Sequence, residues 1–374
     1  MQLINYCSFS VSYAGFSENV YQLLKSISKK DKVLTINIFG CITTEKYWFN
    51  YEIIKQTTQQ IFGRLPLLSY IAQSSENENT LIAEVGYLAD KISLSAISYH
   101  SIPAGRYLII NTDKFCALLV EGLISPNFQD SIAKQSLDVF NKIQLILDTV
   151  SMPIENIVRQ WNYIGHITEV EENSQNYQEF NNARSMFYKS ANWTNGFPAA
   201  TGISMDIHAV SVSFIALKFH SNSVVFPLNN SLQLAAHRYS QTVLGKSVKK
   251  ETPKFERAKL IVSANSSYCF ISGTAAILGE KSINKLTASE QAWHTIQIIR
   301  HLISQENLSA NGIDKVYDLK IVHLRVYVKV SSDIEAVRNI LETELPAVNV
   351  IYLCAGVCRE ELLVEIEGIA ITKN

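Results

Sequence analysis

The 374-residue chain is poor in charge. Only 18% of its residues are Asp, Glu, Lys or Arg, and the formal net charge is −1. No global field of either sign draws in nucleic acid or an anionic membrane, so neither is expected as a partner. An anionic small molecule has to be held instead by a few placed Arg or Lys side chains. Cysteine is sparse too: six residues, at 7, 41, 116, 269, 354 and 358, without the spacing of a disulfide framework. The pair Cys354/Cys358 lacks a second matching pair, which argues against structural zinc. No apolar run approaches the length of a membrane span. The start, Met1-Gln-Leu-Ile-Asn-Tyr-Cys-Ser, has no basic region of a secretory signal. The turn around Gly273 and Gly279 is not followed by Gly-Lys-Ser/Thr, which excludes a P-loop there. The expectation is a soluble protein of a reducing, cytoplasmic compartment.

What is present is apolar: 47% of the residues, enough for substantial cores. The length suits one large domain or two ordinary ones. Residues 1–150 read as a mixed α/β unit. Helical spacing runs from Glu18 to Lys29, with Ser17 as its cap, from Trp48 to Ile61, and from Asp130 to Val150. Val33–Gly40, Ala83–Tyr87 and Leu108–Asn111 read as strands, and 74–79 as a surface loop. Nothing in this half has a spacing that demands chemistry, so it is taken as scaffold.

Residues 151–374 are more informative. The segment after Pro153 begins helically and turns strand-like at Trp161–Ile164. Tyr177 to Tyr188 is an amphipathic helix with Tyr177, Phe180 and Arg184 on one face. Gly196-Phe-Pro-Ala-Ala-Thr-Gly-Ile203 is a tight loop of small residues, where backbone approaches a neighbour or a ligand closely. The strand Ala209–Phe219 follows, then a basic, loop-like stretch at Gly245–Pro253. From 255 the order is strand, strand, long helix (Ser289–Gln305), strand, helix (Ile334–Leu345), strand, strand, which is economically an α+β domain with helices on one sheet face. The last strand carries Val364-Glu-Ile-Glu367. Its alternation turns Glu365 and Glu367 away from the apolar face, toward solvent or into a site.

That layout, with Ser-Gly-Thr-Ala at 272–275 and Val-Glu-Ile-Glu-Gly-Ile-Ala at the end, resembles the YjgF/RidA-like fold. Within it the chain resembles the chorismatases, which split chorismate into pyruvate and a cyclic acid. The pieces that carry the resemblance are Arg159-Gln-Trp-Asn-Tyr163, Tyr177-Gln-x-Phe-Asn-x-Ala-Arg184, Pro198-Ala-Ala-Thr-Gly202, Phe255-x-Arg257-Ala, Phe270-Ile-Ser-Gly-Thr-Ala275 and Cys358-Arg359-x-x-Leu-Leu-Val-Glu365-Ile-Glu. They occur in the family's order over roughly residues 155–370. The implied organisation is an N-terminal mixed α/β domain, 1–150, and a YjgF-like catalytic domain, 151–374. The chain departs from the family pattern at Asn176, where a basic residue is usual, at Glu172-Asn-Ser-Gln, and at Leu244-Gly245.

The resemblance also implies chemistry. Breaking the enolpyruvyl ether of chorismate needs a proton on the enol methylene, and a carboxylic acid held protonated near neutral pH suits this. The family's acid falls on Glu365, with Glu367 as its uninvolved neighbour. Carboxylates of the substrate call for guanidinium forks, and Arg257 and Arg238 are expected first, with Arg184 and Arg359 behind them. Tyr177 and Gln178 are expected to orient the substrate; Thr201, Gly202, Gly273 and Ala275 line the pocket. Cys358, next to Arg359, resembles the branch that forms 3-hydroxybenzoate, acting through a stabilised thiolate or as a small buried residue. Ala275 is more like the hydrolytic branch, which gives a dihydroxycyclohexadiene carboxylate. Other readings are a YjgF-like imine hydrolase and a non-catalytic module that binds an aromatic acid. No metal or organic cofactor is expected, and the assembly is a monomer or a small homo-oligomer.

Overall fold

The computed structural model describes residues 3–372 except 14, 172, 173, 221, 222, 241–250, 264, 265 and 284. Part of the basic stretch 245–253, and the departures at Glu172-Asn173 and Leu244-Gly245, therefore lie outside the described residues.

Three large sheets share the described residues, beside two two-stranded ribbons. The first is built from β1 (Ile4–Ser12), β2 (Val33–Gly40), β3 (Leu67–Ala72) and β4 (Thr80–Leu88), in the order β1-β4-β2-β3. Helices α1 (Phe16–Ser26) and α2 (Tyr47–Phe62) go with it; Gly63 ends α2 in the left-handed conformation (φ 67°) that glycine tolerates. Helix α1 starts before the expected Glu18. Gly15 occupies the cap position without a side-chain bond, and Ser17 lies inside the first turn.

The second sheet is formed by β5 (Ile97–Ile102), β6 (Gly105–Asn111), β7 (Phe115–Ile124), β8 (Ile157–Gly165), β9 (Ala199–Met205) and β10 (Val210–Phe219), in the order β9-β8-β10-β7-β6-β5. Helices α3 (Ile132–Thr149) and α4 (Asn176–Tyr188) cover one face. Val210, Val212, Phe214 and Ala216 of β10 point at them, as the strand period requires. This sheet corrects the expected boundary at 150/151. Strands from before residue 150 pair with strands from after it, β7 with β10 residue by residue, so no cut there leaves two separate sheets. The segment after Pro153 is also corrected. Only Ile154–Asn156 is helical, as one 3₁₀ turn, and the strand begins at Ile157, which places Arg159, Trp161 and Tyr163 on one face of β8.

The third sheet holds β11 (Val224–Leu228), β12 (Ala258–Ser263), β13 (Ser266–Ala275), β14 (Leu319–Val328), β15 (Asn349–Cys354) and β16 (Val364–Thr372), in the order β11-β12-β13-β16-β14-β15. Helices α5 (Ala288–Leu302), α6 (Gln305–Ala310) and α7 (Ile334–Glu344) close its outer face. Thr287 and Glu290 form a capping box at the start of α5.

The inner faces of all three sheets meet in one core, which includes Phe39, Tyr163, Ile203, Phe270, Tyr327 and Ile369. At its centre lies a buried polar cluster. Glu84 of β4 accepts from Arg325 Nε (2.7 Å) and Nη2 and from His323 Nε2 (2.6 Å). Arg325 and His323 hold the Glu84 carboxyl well below the usual carboxylate range, against its burial. Removing one partner would leave a buried charge uncompensated, so the cluster ties the first sheet to the third.

Candidate active site

The period of β16 puts Val364, Ile366 and Ala370 into the core under α5 and α7, and Glu365 and Glu367 on the opposite, inter-sheet face. The neighbouring strand β13 is bulged at this point. Ile271 pairs with Gly368 and Thr274 with Ile366, so Ser272 and Gly273 together face the single residue Glu367. The bulge turns β13 toward the second sheet. Ser272 Oγ donates to Glu256 O (2.6 Å) and accepts from Ala200 N (3.0 Å), and Gly273 N donates to Thr201 Oγ1 (3.1 Å). A seam between β9 and β13 results, and the main cavity lies along it.

This cavity has a volume of about 680 Å³, within the range of small-molecule sites. Glu365 reaches it while remaining only 5% exposed. Burial first, and the neighbouring Glu367 second, push its carboxyl up to about 8, against the opposing pull of Arg159 and Arg257. Its Oε1 lies against Gly273, where a Cβ would overlap it, so any side chain at that point of the bulge would displace the Glu365 carboxyl.

Two guanidinium groups face the same space. Arg184 of α4 is 2% exposed, donates through Nη2 to Asn181 Oδ1, and lies over the Phe180 ring. Arg257 is 3% exposed and donates through Nη2 to Leu234 O (2.6 Å) and Tyr239 OH (2.7 Å). In both, Nε is buried without a partner among the described residues. Buried donors left unpaired are costly. Arg359 also lines the cavity but is committed to Glu280 O (3.0 Å) and Ser282 Oγ (3.2 Å), over the Tyr239 ring.

Tyr177, Gln178, Gly202, Gly273, Ala275 and Cys358 line the cavity as well. Burial raises the Tyr177 hydroxyl far above its ordinary value. The Gln178 amide nitrogen is spent on Asn182 Oδ1 (2.9 Å) and Glu251 O (3.1 Å). Gly202 leaves room for the Tyr177 ring. The Cys358 thiol is pushed up to about 12, by burial first and by Glu365 second, and adjacent Arg359 offsets only part of this. It is a neutral thiol near neutral pH, and the expectation of a stabilised thiolate is corrected.

Two further expectations are corrected. Arg238 is exposed and does not line the cavity; the 3₁₀ turn Ala236–Arg238 directs it outward, and Arg184 takes its place beside Arg257. Thr201 is not a lining residue either. Its Oγ1 donates to Glu367 and accepts from Arg159 Nη2 (2.7 Å) and Gly273 N, so it belongs to the seam. Asn176, the first residue of α4, donates to Gly165 O (3.1 Å) and His166 O (3.2 Å) and also stands off the cavity. Sequence reasoning passed over Asn181 and Tyr239, which steady Arg184 and Arg257. The one available signal was the i, i+3 spacing of Asn181 and Arg184 on α4.

The family model described as "Chorismatase FkbO/Hyg5-like, N-terminal" matches residues 111–216, a stretch that itself crosses residue 150. A chorismatase of Streptomyces rapamycinicus is 30% identical over 237 residues, covering 62% of this chain and 68% of that protein. The chain belongs to the chorismatase family. A 3-hydroxybenzoate synthase of Streptomyces hygroscopicus is 32% identical over 222 residues, covering 57% of this chain and 63% of that protein, so the match spans a little under two thirds of that relative. In fold, the chain is similar to a chorismatase crystal structure at a TM-score of 0.71 and 20% identity, with 99% of each chain covered. The mixed α/β, sheet-rich architecture is thus that of the chorismatases over its whole length. Among the described residues no helix is long and apolar enough to cross a membrane.

Proposed function

We propose that this member of the chorismatase family converts chorismate to pyruvate and a hydroxybenzoate, with Glu365 as the acid that protonates the enolpyruvyl methylene. The observation that carries the reading is the Glu365 carboxyl, buried and held protonated to about pH 8 at the wall of a cavity that also carries Arg184 and Arg257. A proton donor must be protonated at the working pH and must reach the reacting atom, and this side chain meets the first demand. The two arginines, both lining the cavity, supply cations for the two carboxylates of chorismate. Tyr177 and Gln178 bound the space between them and Glu365.

For the product, 3-hydroxybenzoate is favoured. Protonation makes the ether an oxocarbenium-like leaving group. The ring's own hydroxyl then displaces it as pyruvate, and the epoxide-like intermediate loses a ring proton and opens to the aromatic acid, so no water is consumed. A neutral, weakly hydrogen-bonding thiol at Cys358, beside Glu365, disfavours a water there. The relative named 3-hydroxybenzoate synthase points the same way. Ala275, opposite Glu365 in the β13–β16 register, favours the second reading, hydrolysis to the dihydroxycyclohexadiene carboxylate. The sheet of β11–β16, with α5 and α7 on its outer face, is read as the YjgF/RidA-like part of the chain.

The test is incubation with chorismate, with pyruvate followed through a coupled dehydrogenase and the ring product identified by chromatography. Pyruvate with 3-hydroxybenzoate, abolished in Glu365→Gln, is the expected result. Equal pyruvate release by Glu365→Gln sinks the proposal.

A further inference from the structure

Glu367 lies one strand repeat beyond Glu365, on the same face of β16, but it does not line the cavity. Its two oxygens are fully engaged. Arg159 Nη2 and Thr201 Oγ1 donate to Oε2; Trp161 Nε1 (3.0 Å) and Tyr327 OH (3.1 Å) donate to Oε1, with Arg325 Nη1 3.3 Å away. Guanidinium and indole N–H groups only donate, so the cage is built for an acceptor on both oxygens, a carboxylate. The donors come from β8, β9 and β14, three strands of two sheets. The cage also fixes where Arg159 points. Arg159 is 1% exposed; its Nη2 is spent on Glu367 and Thr201, and its Nη1 is unpaired among the described residues.

We propose that Glu367 is a positioning residue that keeps the neighbouring Glu365 protonated: it holds Arg159 on itself and stands beside Glu365 as a fixed negative charge. The inference rests on the reading of Glu365 as proton donor. The groups that face Glu365 are Glu367 on its own strand, Arg159 from β8, Arg257 from the segment before β12, Tyr177 from α4, and Cys358 from the loop before β16. Only the two arginines favour the ionised form, and each is turned onto other acceptors, Arg159 onto Glu367 and Thr201, Arg257 onto Leu234 O and Tyr239 OH. After burial, Glu367 is the largest influence raising the Glu365 carboxyl. Loss of the Glu367 charge removes that influence and frees Arg159, and both changes ionise Glu365.

The experiment reads the Glu365 carboxyl directly, as the infrared C=O band that is missing in Glu365→Gln, followed against pH without substrate. In Glu367→Gln the midpoint of that band is expected to fall by about one pH unit or more, and pyruvate release at neutral pH to fall by at least about twofold and recover toward acid. An unmoved midpoint, with the rate lowered equally at every pH, overturns the proposal, because a merely structural role predicts that pattern. Should Glu367→Gln not fold, Arg159→Met is compared with the double variant Arg159→Met/Glu367→Gln, which removes the ion pair as a unit. The double variant is expected to have the lower midpoint, and equal midpoints overturn the proposal. If the wild-type chain releases no pyruvate, the functional reading falls by itself, while the band still tests the part assigned to Glu367.

Discussion

Replacing Glu365 with Gln should stabilise the folded chain while abolishing turnover, and the gain should grow with pH. The folded carboxyl holds its proton to about 8, against an ordinary 4.5. A carboxyl raised in this way contributes stability that is fully present below 4.5 and is lost as pH rises through 8. Each pH unit in that window costs the folded state about 1.4 kcal/mol, so folding at pH 7 carries a penalty of ~3 kcal/mol at this one side chain. Glutamine has nearly the shape of the protonated acid and carries no such penalty. Its second N–H finds a poorer partner, which returns about 1 kcal/mol. The expected net gain at pH 7 is therefore about 2 kcal/mol, vanishing at about pH 5, where the two effects balance. Urea unfolding of both proteins at pH 5, 6, 7 and 8 measures it. Glu121, pushed up to about 7, and Asp206, pushed up to about 6, titrate in both proteins and cancel in the difference. A difference between the two proteins that stays constant with pH, or a variant that is less stable at pH 8, would refute the argument that the site stores a buried acid at the expense of stability.

Other expectations follow from the same geometry. Gly273→Ala places a methyl on Glu365 Oε1 and near Thr201 Cγ2 (3.1 Å); kcat for pyruvate release should fall on the order of 10²-fold, while circular dichroism shows an unchanged fold. Arg184→Lys and Arg257→Lys should each raise KM about tenfold or more, because an ammonium cannot reproduce the guanidinium fork, whereas exposed Arg238→Ala should leave KM within about twofold. Cys358→Ser replaces a poorly hydrated thiol with a hydroxyl that can hold a water; chromatography should then show the dihydroxycyclohexadiene carboxylate rising relative to 3-hydroxybenzoate.

Much of the third sheet was legible in advance because its elements are strongly periodic and well punctuated. The helix expected at 289–305, found at Ala288–Leu302, has a clear apolar face, and the last strand alternates without ambiguity. Strand β7 was not read. Phe115–Ile124 is nearly continuous in apolar residues, a pattern that a buried strand and a buried helix share. The boundary at 150 was missed for the same reason, since only the pairing of β7 with β10 reveals that one sheet spans it. Of the expected arginines, Arg184, Arg257 and Arg359 line the cavity and Arg238 does not. Sequence alone does not tell which way the 3₁₀ turn Ala236–Arg238 aims its side chains.

By itself the amino-acid order determined that two acids of the last strand share a face, because side chains in a strand alternate with a period of two. It also determined, through low net charge, that any anion must be met by individual arginines. Which of the two acids is caged and which stays a protonated wall of the cavity was decided only in three dimensions. Arg159, Trp161, Thr201, Arg325 and Tyr327 come from strands scattered over more than 160 residues, and they converge on Glu367 because the sheets close on a common core. Glu365 is left against a bulged glycine with no cation of its own, and that difference in surroundings is what separates two otherwise identical side chains.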